Sequence, residues 1–332
     1  MFEPLPPITL KTGEPVEAGI VHGPDAAWAD RVEPLLRHKG DPWVWQNCAL
    51  LRDATGIAAR FFVLHRGGRP FANIMLAGSA GVALLGHVWT EPADRGAGAS
   101  SRLMDVLLDR FARGDGLAIY LGTAPGGEPF RFYARRGFAA VEPGSGCMVL
   151  TRGRPEEFAA NWFAGSPGSV EPLDWRHWAA AAPLCLGDFP GRVRQAATGL
   201  VGRASCEGAF LPVLREQHRR RARGEPDCAA ALTDAAGVVW GFASRLPDRS
   251  RPGRDVLDVY CHPQAWPRAA ELLAAVAGDG RGCVAYVEEA TPAKAQALRS
   301  LGLAPAETLP GWIREPAARG TAGDVTRWEA AA

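Results

Sequence analysis

The feature that most constrains this chain is a buried strand, a turn of small residues and a helix in direct succession, between residues 82 and 111. The apolar run Val82–Thr90 is typical of a strand, and Glu91-Pro92 ends it. In Arg95-Gly96-Ala97-Gly98-Ala99-Ser100, every residue after the arginine is small. The spacing of the next apolar residues is helical, at Leu103, Val106, Leu107 and Phe111. The chain must therefore place a tight turn at the N-terminus of a helix, directly behind a buried strand.

A turn of this kind can bind an anion through its backbone amides. The first amides of a helix have no partner within the helix and bear partial positive charge. Small residues let a phosphate approach the backbone closely. A diphosphate group is thus the expected ligand of the loop 95–100, and the alternative is an ordinary strand-to-helix turn. A nucleotide P-loop is excluded because no Lys-Ser/Thr pair follows Gly98, and a dinucleotide fingerprint because its third glycine is missing.

A second strand and a short helix follow downstream. Residues 117–121 form a short apolar run, typical of a strand. Residues 130–137 read as a helix closed by Gly137, and Phe138 starts a new strand. In this order and spacing, Arg-x-x-Gly-x-Ser followed by Phe-Tyr-x-x-x-Gly-Phe resembles the GNAT superfamily of acyl-CoA-dependent N-acyltransferases. The resemblance covers roughly residues 58–150.

The resemblance implies a cofactor site and an acid. The loop amides would hold the pyrophosphate of acetyl-CoA, and the end of the preceding strand would pair with its pantetheine arm. Tyr133 stands at the position of the acid that protonates the leaving thiolate. Two positions depart from the family pattern: Ser100, where glycine or alanine is usual, and Gly126, where an asparagine is frequent. The implied cofactor residues are Val88, Trp89, Thr90, Arg95, Gly96, Ala97, Gly98, Ala99 and Ser100.

Two side chains flank the strand end and are candidates for the general base that N-acyl transfer uses. His87 lies within the strand, and Glu91 follows it. Each has a plainer interpretation: His87 as a packed strand residue and Glu91 as a solvated loop charge. Tyr133 has one too, as a core aromatic residue with its hydroxyl at the surface.

Composition indicates a soluble protein of about two domains. The chain has 332 residues, 47% of them hydrophobic and 22% charged. A formal net charge of +1 argues against nucleic acid and anionic membrane surfaces as partners. The seven cysteines are scattered and form no Cys-x-x-Cys, so neither a metal site nor a disulfide framework is expected. With no signal peptide and no spanning segment, a cytoplasmic location is expected.

The second half resembles a degenerate copy of the first. His262-Pro263 stands where Glu91-Pro92 stands, but residues 264–267 contain no glycine, and Leu298 occupies the tyrosine position. The alternative is an unrelated α/β domain. We expect a GNAT domain at 1–152, a linker at 153–169, a degenerate GNAT-like domain at 170–314 and a tail at 315–332. Residues 1–15 are expected to be an irregular lead-in.

The expected fold class is therefore the α/β (α+β) acyl-CoA N-acyltransferase fold, as two tandem domains. Each would be a mixed, mostly antiparallel sheet flanked by helices. The expected function is transfer of an acyl group, most simply acetyl, from acetyl-CoA to a primary amine, by a monomer or homodimer without a metal. The alternative is a non-catalytic acyl-CoA-binding or protein-interaction module. Nothing in the sequence names the amine.

Overall fold

A computed structural model describes residues 1–278, 282–314 and 322–330. The chain divides into two compact units. The first comprises Met1–Leu121 and Leu150–Pro155, and the second comprises Gly122–Val149 and Glu156–Ala332. The segment Gly122–Val149, which the sequence assigned to the first domain, thus belongs to the second unit.

The elements follow one another along the chain as two series. The strands are β1 (Phe2–Thr9), β2 (Pro15–His22), β3 (Ala58–Arg66), β4 (Arg69–Ser79), β5 (Val82–Thr90), β6 (Ala118–Gly122), β7 (Ala139–Ala140), β8 (Cys147–Thr151), β9 (Ser169–Pro172), β10 (Val193–Gln195), β11 (Leu200–Val201), β12 (Ala229–Thr233), β13 (Val239–Pro247), β14 (Asp255–Cys261), β15 (Cys283–Val287), β16 (Leu303–Arg314) and β17 (Ala322–Ala330). The helices are α1 (Ala26–Leu36), α2 (Trp43–Arg52), α3 (Ala99–Arg113), α4 (Glu128–Ala134), α5 (Pro155–Trp162), α6 (Trp175–Ala180), α7 (Ala182–Leu186), α8 (Cys206–Ala222), α9 (Ala269–Ala277) and α10 (Pro292–Arg299).

The strands of the first unit lie in chain order, from β1 to β6. All neighbours are antiparallel except β5 and β6, which are parallel. Helices α1 and α3 pack against β4. Helix α1 begins where the Asp25 side chain accepts a hydrogen bond from the Trp28 amide, and it buries Trp28, Val32, Leu35 and Leu36 as the sequence predicted. The predicted fold class, a mixed and mostly antiparallel sheet flanked by helices, is confirmed.

The N-terminal segment differs from the prediction. Residues 2–9 form β1, which pairs with β2 instead of being irregular. Proline lacks a backbone donor and is tolerated only at a sheet edge or a bulge. β1 is the edge strand, and its register shifts between Leu5 and Ile8, on either side of Pro6 and Pro7. These prolines are therefore compatible with a strand at the sheet edge, and they do not prevent β1 from pairing with β2.

Strands β5 and β6 separate after a short common stretch. Their register has three pairs, which end at Leu84 and Tyr120. β5 continues for six more residues, to Thr90, beyond its pairing with β6. On its other side β5 pairs with β4, where the register shifts between Asn73 and Met75. The carboxyl end of β5 therefore has one paired edge and one edge that β6 does not pair.

The second unit has a sheet of seven strands in the order β16-β17-β15-β14-β13-β12-β9. Only β14 and β15 are parallel, and they pair at two positions, Asp255–Cys283 and Val256–Val284. Helix α9 packs on β12, β13 and β14. The strands and helices predicted for residues 229–300 are present.

Two predicted boundary segments contain regular structure. The expected linker 153–169 contains α5, which buries Phe158 and Trp162. The expected tail 315–332 contains β17, which lies between β15 and β16 and buries Val325 and Trp328. Its alanine- and glycine-rich composition concealed the two apolar residues that the strand buries. Residues 315–321 and 331–332 of the expected tail lie outside the described residues.

Candidate functional site

The turn between β5 and α3 has the geometry of an anion cradle. Gly96 and Gly98 have φ angles of +82° and +83°, in the left-handed region that favours glycine. Gly98 is the N-cap of α3, and it makes no side-chain cap hydrogen bond. The first turn of α3 contains no acidic residue, and a Cβ at Gly96 would meet open space. The residues present therefore fit a diphosphate.

The side chain of Arg95 turns back onto the strand. Its Nε donates to the Thr90 carbonyl at 3.1 Å, and its guanidinium lies 4.6 Å from the centre of the Trp89 ring. The other partner of Trp89 is His38, whose ring stacks on it at 3.6 Å. Arg95 therefore fixes the loop against the end of β5, which leaves the loop amides and not its guanidinium as the expected phosphate donors.

Ser100 fastens the start of α3 to the end of β5. Its hydroxyl lies 2.8 Å from the hydroxyl of Thr90. The serine that replaces the family's glycine or alanine at this position therefore forms a hydrogen bond between two predicted cofactor residues, within the predicted site. Ala99 beside it is buried, and Ala97 is half-buried.

Lys11 is a residue of this site that sequence reasoning missed. Its backbone N–H donates to the Ala97 carbonyl at 2.9 Å. Its side-chain carbons lie 3.1–3.3 Å from the position that a Cβ on Gly98 would take. A cationic side chain therefore lies along the loop. No local pattern could reveal it, because Lys11 is distant in sequence and belongs to the turn between β1 and β2.

His87 is buried within the carboxyl half of β5. It is 6% exposed, and its φ of +52° is unusual for a residue with a Cβ. Its Nε2 lies 2.9 Å from Gln46 Oε1, and its ring meets the ring of Trp43 edge-on at 5.7 Å. Burial, with smaller contributions from the charges of Lys39 and His38, lowers the pKa of His87 to about 3. His87 is therefore a neutral imidazole at physiological pH.

Glu91 lies half-exposed at the point where β5 ends. Its amide donates to the Phe71 carbonyl at 2.8 Å, and its carbonyl accepts from the Asp94 amide at 2.9 Å. Residues Pro92–Asp94 then form a single 3-10 turn before the loop. The residues predicted to pair with the pantetheine arm, Val88 and Trp89, are half-buried, whereas Thr90 is buried.

Tyr133 belongs to the second unit, on α4. It is 8% exposed and meets the rings of Phe132 and Phe138 edge-on, at 5.3 and 5.8 Å. Burial raises its pKa, and the negative charge of Glu207 raises it further. Its hydroxyl is therefore protonated throughout the physiological range. Gly126, at the position of the family's asparagine, has a φ of +68° and open space around a Cβ.

In the second unit, residues 193–196 bond to two carboxylates near the point where β14 and β15 separate. The Ala196 amide donates to Asp258 Oδ2 on β14 at 2.6 Å, and the Val193 amide donates to Glu288 Oε1, just after β15, at 2.6 Å. Lys294 forms an ion pair with Asp258, and both side chains are 1% exposed. The counterpart of the glycine loop is the 3-10 helix Pro263–Arg268, which contains two prolines.

No cluster of three or more His, Cys, Asp or Glu side chains in the described ranges is arranged to hold a metal ion. No helix among them combines the length and apolarity needed to cross a bilayer.

Comparison with known proteins gives structural likenesses only. No family model and no curated protein matches the sequence. Solved structures that are similar include the GNAT domain of S. lividans PAT (12% identity, TM-score 0.36, 44% of this chain and 96% of that one). An acyl-CoA N-acyltransferase from Pseudomonas aeruginosa (22%, 0.32, 41% and 99%) and PaiA N-acetyltransferase from Thermoplasma acidophilum with coenzyme A (12%, 0.32, 40% and 99%) are others. These matches carry the family name that the sequence resembles. At such identities and TM-scores they add no weight to a function, which has to be inferred from the geometry.

Proposed function

We propose that this protein is an acyl-CoA-dependent N-acyltransferase that moves an acetyl group from acetyl-CoA to a primary amine. The first unit would bind the coenzyme. One observation supports this most strongly: α3 begins without a side-chain cap, behind two left-handed glycines, at the end of a strand whose parallel neighbour has diverged.

The diphosphate would be held by the first amides of α3. An uncapped helix N-terminus supplies N–H donors and partial positive charge. The open space at Gly96 and the left-handed Gly98 allow a phosphate to approach the backbone. Lys11 would add a full positive charge beside the loop.

The pantetheine arm would lie along the edge of β5 that β6 does not pair. An extended molecule that contains amides can pair with a free strand edge as an added strand does. Residues Leu85–Thr90 run beyond the pairing of β5 with β6, so this edge is available in the first unit. The arm would then deliver the thioester to the part of β5 that contains His87.

Acyl transfer requires a neutral amine, a place for its proton and an acid for the thiolate. His87 and Glu91 are the proposed bases, and backbone N–H groups at the strand end would stabilise the oxyanion. The sequence resemblance implies Tyr133, a protonated phenol, as the acid for a thiolate leaving group. The amine nitrogen bonds to the thioester carbon, and the C–S bond breaks. The base takes the amine proton and releases it to solvent, and the thiolate takes a proton from its acid to leave as free coenzyme A.

A non-catalytic acyl-CoA-binding protein is the second candidate. The burial of His87 and Tyr133, at 6% and 8% exposure, favours it, because a reacting group must reach its substrate.

Calorimetry and a thiol assay separate these functions. Acetyl-CoA should bind with micromolar affinity, and coenzyme A should be released when a panel of primary amines is supplied. Binding without thiol release across amino acids, polyamines, amino sugars and peptide N-termini would favour the second candidate. An absence of binding would overturn both.

A further inference from the structure

A chain of buried polar side chains surrounds the irregular point of β5. Gln46 on α2, Asn73 on β4 and His87 on β5 are 0%, 0% and 6% exposed. Gln46 Oε1 lies 2.9 Å from His87 Nε2, and Asn73 Nδ2 donates to the His87 carbonyl at 3.0 Å. Three elements of the first unit therefore hold this one histidine.

The backbone of His87 is strained. A residue with a Cβ at a φ of +52° costs about 1–3 kcal/mol and persists only where its surroundings enforce it. The β4–β5 register shifts at this point, and Asn73 uses its side chain to bond the His87 carbonyl. Such strain is concentrated at functional sites.

The partners of Gln46 determine which nitrogen of His87 has the proton. The Gln46 amide nitrogen donates to the Met75 sulfur at 3.0 Å, and its oxygen faces His87. The reverse orientation would place the amide oxygen against a thioether, which has no hydrogen to donate. With the oxygen toward His87, the proton lies on Nε2, and Nδ1 keeps its lone pair.

That lone pair has no donor. Within the described residues, His87 Nδ1 and Asn73 Oδ1 are buried and make no hydrogen bond. Both are acceptors, so each of them lacks a donor. Buried polar atoms are almost always paired with protein or ordered water. A group that brings N–H or O–H bonds is therefore expected at this place.

We propose that Gln46 is a positioning residue that holds His87 as a neutral acceptor, with Nδ1 receiving an N–H of the substrate amine directly or through one water. This inference rests on the proposed function. As the C–N bond forms and the C–S bond breaks, the amine proton passes to Nδ1. The resulting imidazolium returns it to solvent, and the thiolate is protonated separately.

Burial keeps His87 neutral, and the charges around it act in the same direction. Lys39 and His38 lower its pKa, and the Trp43 ring packs against its edge. Burial lowers the pKa of His38, and Glu91, at the end of β5, raises that pKa by a smaller amount. A glutamate in place of Gln46 would add a carboxylate against Nε2–H and so raise the pKa of His87.

Long-range ¹H–¹⁵N spectra of the full-length protein test the tautomer. The chain has seven histidines, and loss of one set of signals in His87→Gln assigns the ring. We expect the wild type to show Nε2–H and a bare Nδ1 from pH 5 to 8. Gln46→Met, which preserves volume, should give mixed tautomers, and Leu50→Met on the same helix should not. An Nδ1–H tautomer in the wild type, or no change in Gln46→Met, would overturn the proposal.

Kinetics with hydroxylamine as a small neutral acceptor test the consequence. Gln46→Met should lower kcat for acetohydroxamate formation roughly 10- to 100-fold, less than the full effect of a general base because His87 itself remains, with KM for acetyl-CoA unchanged. As the pH is lowered, Gln46→Glu should lose activity at a higher pH than the wild type does. Equal kcat and pH profiles in all three proteins would contradict the proposal. If the wild type binds no acetyl-CoA, the proposed function fails instead, while the spectra still report the tautomer.

Discussion

The two units contain the same divergence of parallel strands and use it differently. In the first unit, β5 and β6 pair at three positions and then part, and β5 continues to Thr90 beyond that pairing. In the second unit, β14 and β15 pair at two positions, and the amides of Val193 and Ala196 bond to carboxylates on or just after these two strands. One divergence is available to a ligand that contains amides, whereas the other already binds amides of its own chain.

The turns that follow β5 and β14 also differ, and again the first unit has the features expected of a ligand site. After β5, two left-handed glycines lead into an uncapped helix of fifteen residues. After β14, His262 accepts a hydrogen bond from the Gln264 amide, and Pro267 lacks an N–H. The second unit therefore has no glycine loop after β14, and carboxylates on or just after β14 and β15 bond amides of its own chain. We infer that the second unit keeps the architecture for a purpose other than coenzyme binding.

The largest expected effect is on the loop of the first unit. Gly98→Val forces a branched side chain into the left-handed region and against the side chain of Lys11, which distorts the loop, so we expect acetyl-CoA affinity to fall by at least about 100-fold. Calorimetry measures this. Gly56→Val is the matched control, because Gly56 has a similar φ of +76° and open space around a Cβ. Normal affinity in Gly98→Val would remove the loop from the site.

The buried histidine should make stability depend on pH. The pKa of His87 is lowered from 6.5 to about 3, so the unfolded chain binds more protons between these values. The free energy of unfolding should therefore rise with pH across this window, by roughly 5 kcal/mol at most from His87. Urea unfolding between pH 4 and 7 measures the slope. His87→Gln should flatten it, and an unchanged slope would show that other groups cause it.

Removal of the buried lysine tests the second unit. Lys294→Met leaves Asp258 as an unpaired buried carboxylate, which should lower the free energy of unfolding by about 3 kcal/mol. Acetyl-CoA affinity should not change. Arg113→Met removes an exposed ion pair instead, with partners 77% and 61% exposed, and should cost under about 1 kcal/mol. Weaker coenzyme binding by Lys294→Met would contradict the division of roles.

The smallest expected effect is at Lys11. Lys11→Ala should raise the Kd for acetyl-CoA roughly 3- to 10-fold at low salt, and the difference should shrink as salt screens the charge. Arg69→Ala, an exposed cation of another hairpin in the same unit, is the control. A Kd that Lys11→Ala leaves unchanged at low salt would mean that the lysine contributes no electrostatic attraction.

Local patterns predicted most of the elements, but long-range contacts did not follow from them. The apolar spacing of α1 and the glycine turn before α3 are properties of adjacent residues, so the sequence revealed both. The side chain of Lys11 lies against Gly98, and that of Gln46 lies against His87. The partners are far apart in sequence, so no local pattern predicts these contacts. The strand β17 was missed because alanine and glycine dilute its apolar residues.

The count of coenzyme molecules per chain tests the central claim most directly. Titration of the full-length protein with acetyl-CoA in a calorimeter should give one site, and Gly98→Val should abolish it. Two sites per chain, or one site that survives in Gly98→Val, would contradict the assignment of coenzyme binding to the first unit alone.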